Sequence, residues 1–202
     1  LYKKEINGAV DPHLHRDKIE LSLIKTYMRN EKGIIIGFCR GHQFAAVANG
    51  MTLIQDIQSD PRYRNGTKHT INNQSANDLS NRNAYHEINI TKDSLLYKAT
   101  GKEIITVNSR HHQAVSGDVN STSLIKIVAT EGPNKLVEAI EFKNGRGYTF
   151  QFHPEDMMTI QSRKILTTVF NKAKEVLITD KKPNTRNRRI TNPMLCLKKI
   201  MF

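Results

Sequence analysis

The most continuous apolar run in the chain is "GIIIGF", residues 33–38, where three adjacent isoleucines leave neither face polar. A strand of that kind is expected at the centre of a parallel sheet, covered on both faces. Ahead of it, "DPHLHRDKIELSLIKTYMRN" repeats apolar residues at helical spacing (Ile19, Leu23, Ile24, Tyr27, Met28), with Asp11-Pro12 suited to an N-cap and first helical position. Behind it, "RGHQFAAVANG" reads as a buried helix closed by Gly50.

The pattern then changes. Residues 60–83 are polar throughout and predict a long surface loop, the kind that often serves as a lid or binding loop. Short strand candidates follow: "HEINI", "IITVNS", "LIKIVATE", "LVEAIEF" and "GYTFQF". Turn signals at Lys92-Asp93, Gly117-Asp118, Gly132-Pro133 and Asn144-Gly145 divide them. A closing amphipathic helix is predicted from about Thr159 to Leu177, with Ile165, Leu166, Val169, Phe170, Ala173 and Leu177 on its apolar side. The plan is α/β: one strand-turn-helix unit, a β-rich middle and a final helix.

Charge and cysteine content narrow the function classes. The net charge is +12, but seven basic residues against Asp180 alone in residues 179–202 supply half of it. That places a basic tail behind a domain ending near residue 178, and without a recognition motif it argues against specific nucleic-acid binding. Cys39 and Cys196 are the only cysteines, too few for a disulfide framework, which points to a reducing, cytoplasmic setting. No apolar stretch approaches the ~20 residues that span a bilayer.

Cys39 stands where the apolar strand gives way to a helix, flanked by Gly37 and Gly41, small residues that let such a turn tighten. The same logic builds the nucleophile elbow of serine hydrolases. At a helix N-terminus the unpaired N–H groups favour thiolate, and the N–H of Arg40 is placed where an oxyanion would form. A nucleophilic cysteine needs a base and a group to orient that base. "FQFHPE" offers His153 at a strand end and Glu155 two residues on, with Pro154 stiffening the turn between them. Because strand C-termini of a parallel α/β sheet share one rim, Cys39 and His153 can meet there.

In that order, "GFCRGHQ", "VNSRHHQAV" and "FQFHPE" resemble the class I glutamine amidotransferase-like hydrolases, and within them the gamma-glutamyl-gamma-aminobutyrate hydrolase family. "DPHLHRDKIELSLI" looks like that family's D-P-x-R-D-x-x-E-L helix with one extra residue before Arg16; "LIQDI", "YHEINI" and "LVEAIEF" also fall in family order. The resemblance runs from residue 1 to about 178. It implies a flavodoxin-like, three-layer, mostly parallel sheet with helices on both faces. It also implies hydrolysis of a small gamma-glutamyl amide through a thioester, with Cys39 as nucleophile, His153 as acid/base and Glu155 as its orienter.

Further positions carry over as candidates for substrate binding. Gln43 matches a glutamine that helps hold the gamma-glutamyl group, or else makes a helix hydrogen bond. His111, His112 and Gln113 match the family's H-H-Q and are read as lining the pocket. Adjacent histidines on a strand face opposite ways and make a poor metal pair, so no metal is expected, nor any organic cofactor. Arg40 is a candidate to clamp a substrate carboxylate or to cap local carbonyls. His69 and His86 match family histidines of open role. A homo-oligomer is compatible with the sequence. Rival readings are a glutaminase subunit feeding ammonia to a synthetase partner, and an inactive binding relative.

Two departures stand out. The family places a strand and a glycine-rich loop, source of the second oxyanion N–H, ahead of the position of Leu1. The chain is therefore read as lacking roughly the first third of the fold, with one sheet edge and one wall of the Cys39 pocket expected to be open. Before Gln151, Thr149-Phe150 replaces the usual Gly-Val.

Overall fold

A computed structural model describes residues 13–30, 33–63, 66–69, 84–117, 124–132 and 135–181. The Asp11-Pro12 cap, most of the polar 60–83 stretch, and the tail beyond residue 181 lie outside these residues.

The strand-turn-helix unit forms as α1 (Leu14–Asn30), β1 (Ile35–Phe38) and α2 (Arg40–Ala48), followed by the two-residue β2 (Leu53–Ile54). The middle consists of β3 (Ala84–Ile90), α3 (Leu95–Thr100), β4 (Ile104–Ser109), β5 (Ala114–Val115), β6 (Ile125–Glu131), β7 (Val137–Phe142) and β8 (Gly147–Phe150). α4 (Ile160–Lys181) closes the described chain. In β3 the burial alternates strictly, as a strand with one wet face should.

The main sheet has the order β1-β8-β7-β6-β3-β4, with β2 and β5 attached beside β7. β1 and β8 run parallel, Ile35 opposite Gly147 and Phe38 opposite Phe150, while the other paired strands are antiparallel. The sheet is thus mixed. Helices cover both faces. Ile35, Ile140 and Phe142 face α1 and α2 through Ile24, Phe44 and Ala45. Phe150, Ala139 and Val107 face α3 and α4 through Leu96, Ile165 and Val169. No helix among the described residues is long and apolar enough to cross a membrane.

Several particulars differ from expectation. β1 stands at the end of the strand order among the described residues, with β8 as its one strand neighbour, so it is covered less fully than its apolar sequence predicts, Ile36 and Phe38 being half-buried. α4 runs to Lys181 rather than ending near Leu177, and Asp180 belongs to the fold rather than to the tail. Its carboxylate accepts two Arg146 bonds, at 2.9 and 2.7 Å, and the Gly33 N–H at 2.9 Å. Phe170 and Ile19, predicted on apolar faces, are 51% and 48% exposed. On α1 the predicted Ile24 is buried with Tyr27 and Met28 packed beside it, and Asp17 and Glu20 are buried as well. α3 is too short to show a helical period in the sequence; Ser94 caps it, accepting the Tyr97 N–H at 2.9 Å, and the Glu141 carboxylate accepts the Leu95 N–H at 2.6 Å.

Candidate active site

Cys39 occupies the single residue between β1 and α2. Its N–H donates to the Phe150 carbonyl at 2.8 Å, ending the strand ladder, and its carbonyl accepts the Gln43 N–H at 3.1 Å, starting the helix. Serving both forces φ to 50° and ψ to −106°, a strained conformation for a residue with a side chain. The turn is tight because Gly37 has no Cβ: one built there would lie 2.8 Å from the Gly41 carbonyl carbon and 3.1 Å from Thr149 Cγ2. The expected matching role of Gly41 is not found, since a Cβ there meets nothing within 4 Å. The Cys39 side chain is half-buried and free of any disulfide.

β8 lies parallel to β1, so the chain leaves both strands at the same rim. Cys39 follows Phe38 directly, and buried His153 comes three residues after Phe150. His153 Nδ1 is 2.9 Å from Glu155 Oε1, which fixes the ring and directs Nε2 away from the carboxylate. Nε2 has no hydrogen-bond partner among the described residues. Burial alone would push the His153 pKa down. The Cys39 thiol and the Glu155 carboxylate outweigh burial and raise it to about 9, so the imidazole carries its proton at neutral pH.

His153 is held from behind by a residue that is not among the candidates named from the motifs. Asn108, at the end of β4, accepts the His153 N–H at 2.9 Å and donates to its carbonyl at 3.1 Å. Arg110, paired with Asp156, brings its Nη2 to 3.1 Å from His153 Nδ1, where it meets a ring nitrogen already donating to Glu155 and so opposes the imidazolium charge rather than bonding to it. The signal was present in "VNSRHHQ": alternation puts residues 108 and 110 on one side and 109 and 111 on the other. His42 is a core residue. The Val137 carbonyl at 3.1 Å fixes Nε2 as its donor, Thr149 Oγ1 lies 2.9 Å from Nδ1, and burial lowers its pKa to about 4.

The candidate substrate-binding residues are placed less favourably. The Arg40 guanidinium donates to Asp17 at 2.6 Å and Glu20 at 2.9 Å and stacks 4.4 Å over the Phe44 ring, so it is a strut to α1 rather than a free clamp. Gln43 is buried and donates to the Gln113 carbonyl and to Gln151 Oε1, both at 3.1 Å. That is its structural alternative, tying α2 to the chain on either side of the base. Gln113 meets it through its backbone. His111 and His112 face opposite ways as expected, His112 exposed and His111 buried. His111 points into the interior, toward His69 and His86, rather than into an open pocket.

Residues 1–155 match the Peptidase C26 family. The chain belongs to that family. Among curated proteins it is similar to protein NtpR of Enterococcus hirae, 34% identical over 148 residues, covering 72% of this chain and 56% of the relative. It is also similar to the glutamine amidotransferase-like protein YvdE of Lactococcus lactis, 32% identical over 158 residues, covering 77% and 60%. The chain thus spans between one half and two thirds of these relatives' length. In fold it resembles a Thermoplasma acidophilum protein described as one of the subunits of a GMP synthase, with TM-score 0.58 and 18% identity over 80% of this chain and 68% of that one. This Peptidase C26 member therefore has a glutamine amidotransferase-like α/β fold. Neither curated relative carries the name of a gamma-glutamyl-gamma-aminobutyrate hydrolase.

Proposed function

We propose that this Peptidase C26 member is a cytoplasmic, cysteine-dependent hydrolase that cleaves the amide bond of small gamma-glutamyl compounds. The observation that supports it best is the strained Cys39 elbow beside an imidazole hydrogen-bonded to Glu155 at 2.9 Å. The Cys39 sulfur, its proton held by His153, attacks the gamma-carbonyl carbon. The C–N bond breaks as His153 protonates the departing amine, leaving a thioester. His153, now neutral, takes a proton from water as the water oxygen attacks the thioester. Glutamate leaves and the initial state returns, with no outside oxidant or cofactor required. The Arg40 N–H is one oxyanion donor in this scheme.

The test is a product screen for free glutamate across gamma-glutamyl amides, with mass spectrometry of the acyl intermediate. Cys39→Ala should fold and release no glutamate, and the wild-type adduct should map to Cys39. Full turnover in Cys39→Ala, or an adduct on Cys196 alone, overturns the reading. Activity on free glutamine that requires a synthetase partner would instead make the chain a glutaminase subunit.

A further inference from the structure

Behind the β4 rim, on the opposite side from Asn108 and Arg110, lies a second cluster of ionisable groups that the proposed chemistry does not use. His69, His86, His111, Glu131 and Glu138 are 2%, 5%, 5%, 1% and 0% exposed. They converge from separate places: a loop, β3, the end of β4, the end of β6 and the start of β7. The His69 ring centroid is 4.7 Å from that of His86 and 4.9 Å from that of His111. Glu138 Oε1 lies 3.4 Å from His86 Nε2 and 4.0 Å from His111 Nε2, and Glu131 Oε2 lies 3.8 Å from His69 Nε2.

Beyond these long ion-pair contacts, the inward atoms of this cluster lack hydrogen-bond partners. Among the described residues, Nε2 of His69 and His111, both ring nitrogens of His86, and both oxygens of Glu131 and of Glu138 are buried without a hydrogen-bond partner. Buried polar atoms nearly always have partners, so such a concentration around one point calls for a ligand. The outer atoms are satisfied in an informative way. His111 Nδ1 is 2.8 Å from the Gln113 carbonyl and must donate to it, which leaves the lone pair on Nε2. Ser109 Oγ donates to the His69 carbonyl at 3.1 Å and so accepts from His69 Nδ1 at 3.1 Å, again leaving Nε2 as the inward lone pair. Metal-binding histidines are oriented by outer partners in this manner.

The donor set selects the ligand class. Two carboxylates suit a divalent cation. Several imidazoles favour zinc and its transition-metal neighbours over calcium or magnesium, which prefer oxygen. Donor atoms of His69, His111 and Glu138 all lie within 4.8 Å of one another. Around a tetrahedral zinc, with bonds of ~2.0–2.2 Å, donors stand about 3.3–3.5 Å apart, so the three need only draw inward.

We infer that His69, His111 and Glu138, with His86 beside them as a fourth ligand, form a buried site for one zinc-class divalent metal ion. The pair that alternation separates, His111 and His112, is not the relevant one; His111 joins histidines distant in sequence. A closed, buried, four-ligand site is structural rather than catalytic. Its position gives it something to stabilise: Ser109 and His111, at and just beyond the end of β4, share their backbone with Asn108, which holds His153 on the other side.

The untagged full chain, stripped with a chelator, is titrated with Zn2+ against a chromophoric competitor, with metal content read by mass spectrometry. One tightly bound zinc per chain and a raised Tm are expected, with no Tm rise from Mg2+ or Ca2+. Glu138→Gln and His111→Asn should each weaken zinc binding by more than the ~10–100-fold that loss of an outer-shell partner costs. His112→Ala, altering the exposed neighbour, should leave binding unchanged. If His111→Asn does not fold, the near-isosteric Glu138→Gln and the wild-type titration decide. A stripped wild type that takes up no zinc, or stoichiometric zinc retained at full affinity in Glu138→Gln, overturns the inference.

Discussion

His153 is held in its charged form by two groups, and removing both should invert its behaviour. Its pKa stands near 9 against an ordinary 6.5, worth roughly 3 kcal/mol in favour of imidazolium at 1.36 kcal/mol per unit. That is a net figure. Burial and the Arg110 cation both oppose the charge, so the Cys39 thiol and the Glu155 carboxylate together supply more than the net. In Cys39→Ala/Glu155→Gln the opposing influences remain alone, and His153 should titrate below 6.5, with each single variant between the extremes. Proton NMR of the imidazole ring resonances across pH 5 to 10 reads this directly. The sign carries into stability. A folded pKa raised above the unfolded one contributes stability that is complete below pH 6.5 and is lost as pH rises through about 9. The wild type's advantage over the double variant in urea unfolding should therefore shrink between pH 6.5 and 9.5. A wild-type midpoint under 7, or a double variant still titrating near 9, would refute the argument. Glu155→Gln alone should also lower turnover by about one to four decades while sparing substrate affinity, as removal of a triad orienter does.

Three further outcomes follow from the same geometry. Gly37→Ala should destabilise the fold by about 1–3 kcal/mol, because its Cβ would meet Gly41 backbone at 2.8 Å, whereas Gly41→Ala should leave the Tm nearly unchanged. Arg40→Ala should lower stability by about 1–3 kcal/mol through stranding the buried Asp17 carboxylate, since Glu20 keeps its 2.6 Å bond from Arg16, with little effect on KM; a large KM rise at unchanged Tm would restore the substrate-clamp role. Asn108→Ala should reduce kcat more than KM and cost about 1–3 kcal/mol, since both bonds to the His153 backbone are lost; unchanged kcat would show that the loop holds the base unaided.

What could be read from the chain beforehand was whatever depended on local pattern. The Cys39 elbow, the His153-Glu155 pair and five strand candidates each reside in a few consecutive residues whose alternation or turn chemistry is visible in one dimension. Other features depended on remote partners. Arg40 looked like a clamp because nothing in "GFCRGHQ" reveals that Asp17 and Glu20 wait on α1. The same two carboxylates displaced Ile19 from the buried stripe of that helix. β1 looked central because its side chains are apolar on both faces, yet its outer edge has no strand partner among the described residues. The sheet was expected to be mostly parallel from the resemblance, whereas β3, β4, β6 and β7 join antiparallel. The histidine-glutamate cluster was invisible because its members lie in separate segments, and only the sheet register brings them together.

The parallel pairing of β1 with β8 also sets when in the life of the chain the site can exist. Ile35 pairs with Gly147, and the Cys39 N–H closes on Phe150, so the elbow leans on a strand more than a hundred residues later. Closing a loop of that length is a late, entropically costly event in folding. While the ribosome is still adding residues ahead of position 147, Cys39 has neither the strand that bends it nor His153 beside it. Under the proposed chemistry, reactivity arrives with β8. The labelling rate of Cys39 on stalled nascent chains of increasing length should rise in one step, marking completion of the domain rather than synthesis of Cys39 itself.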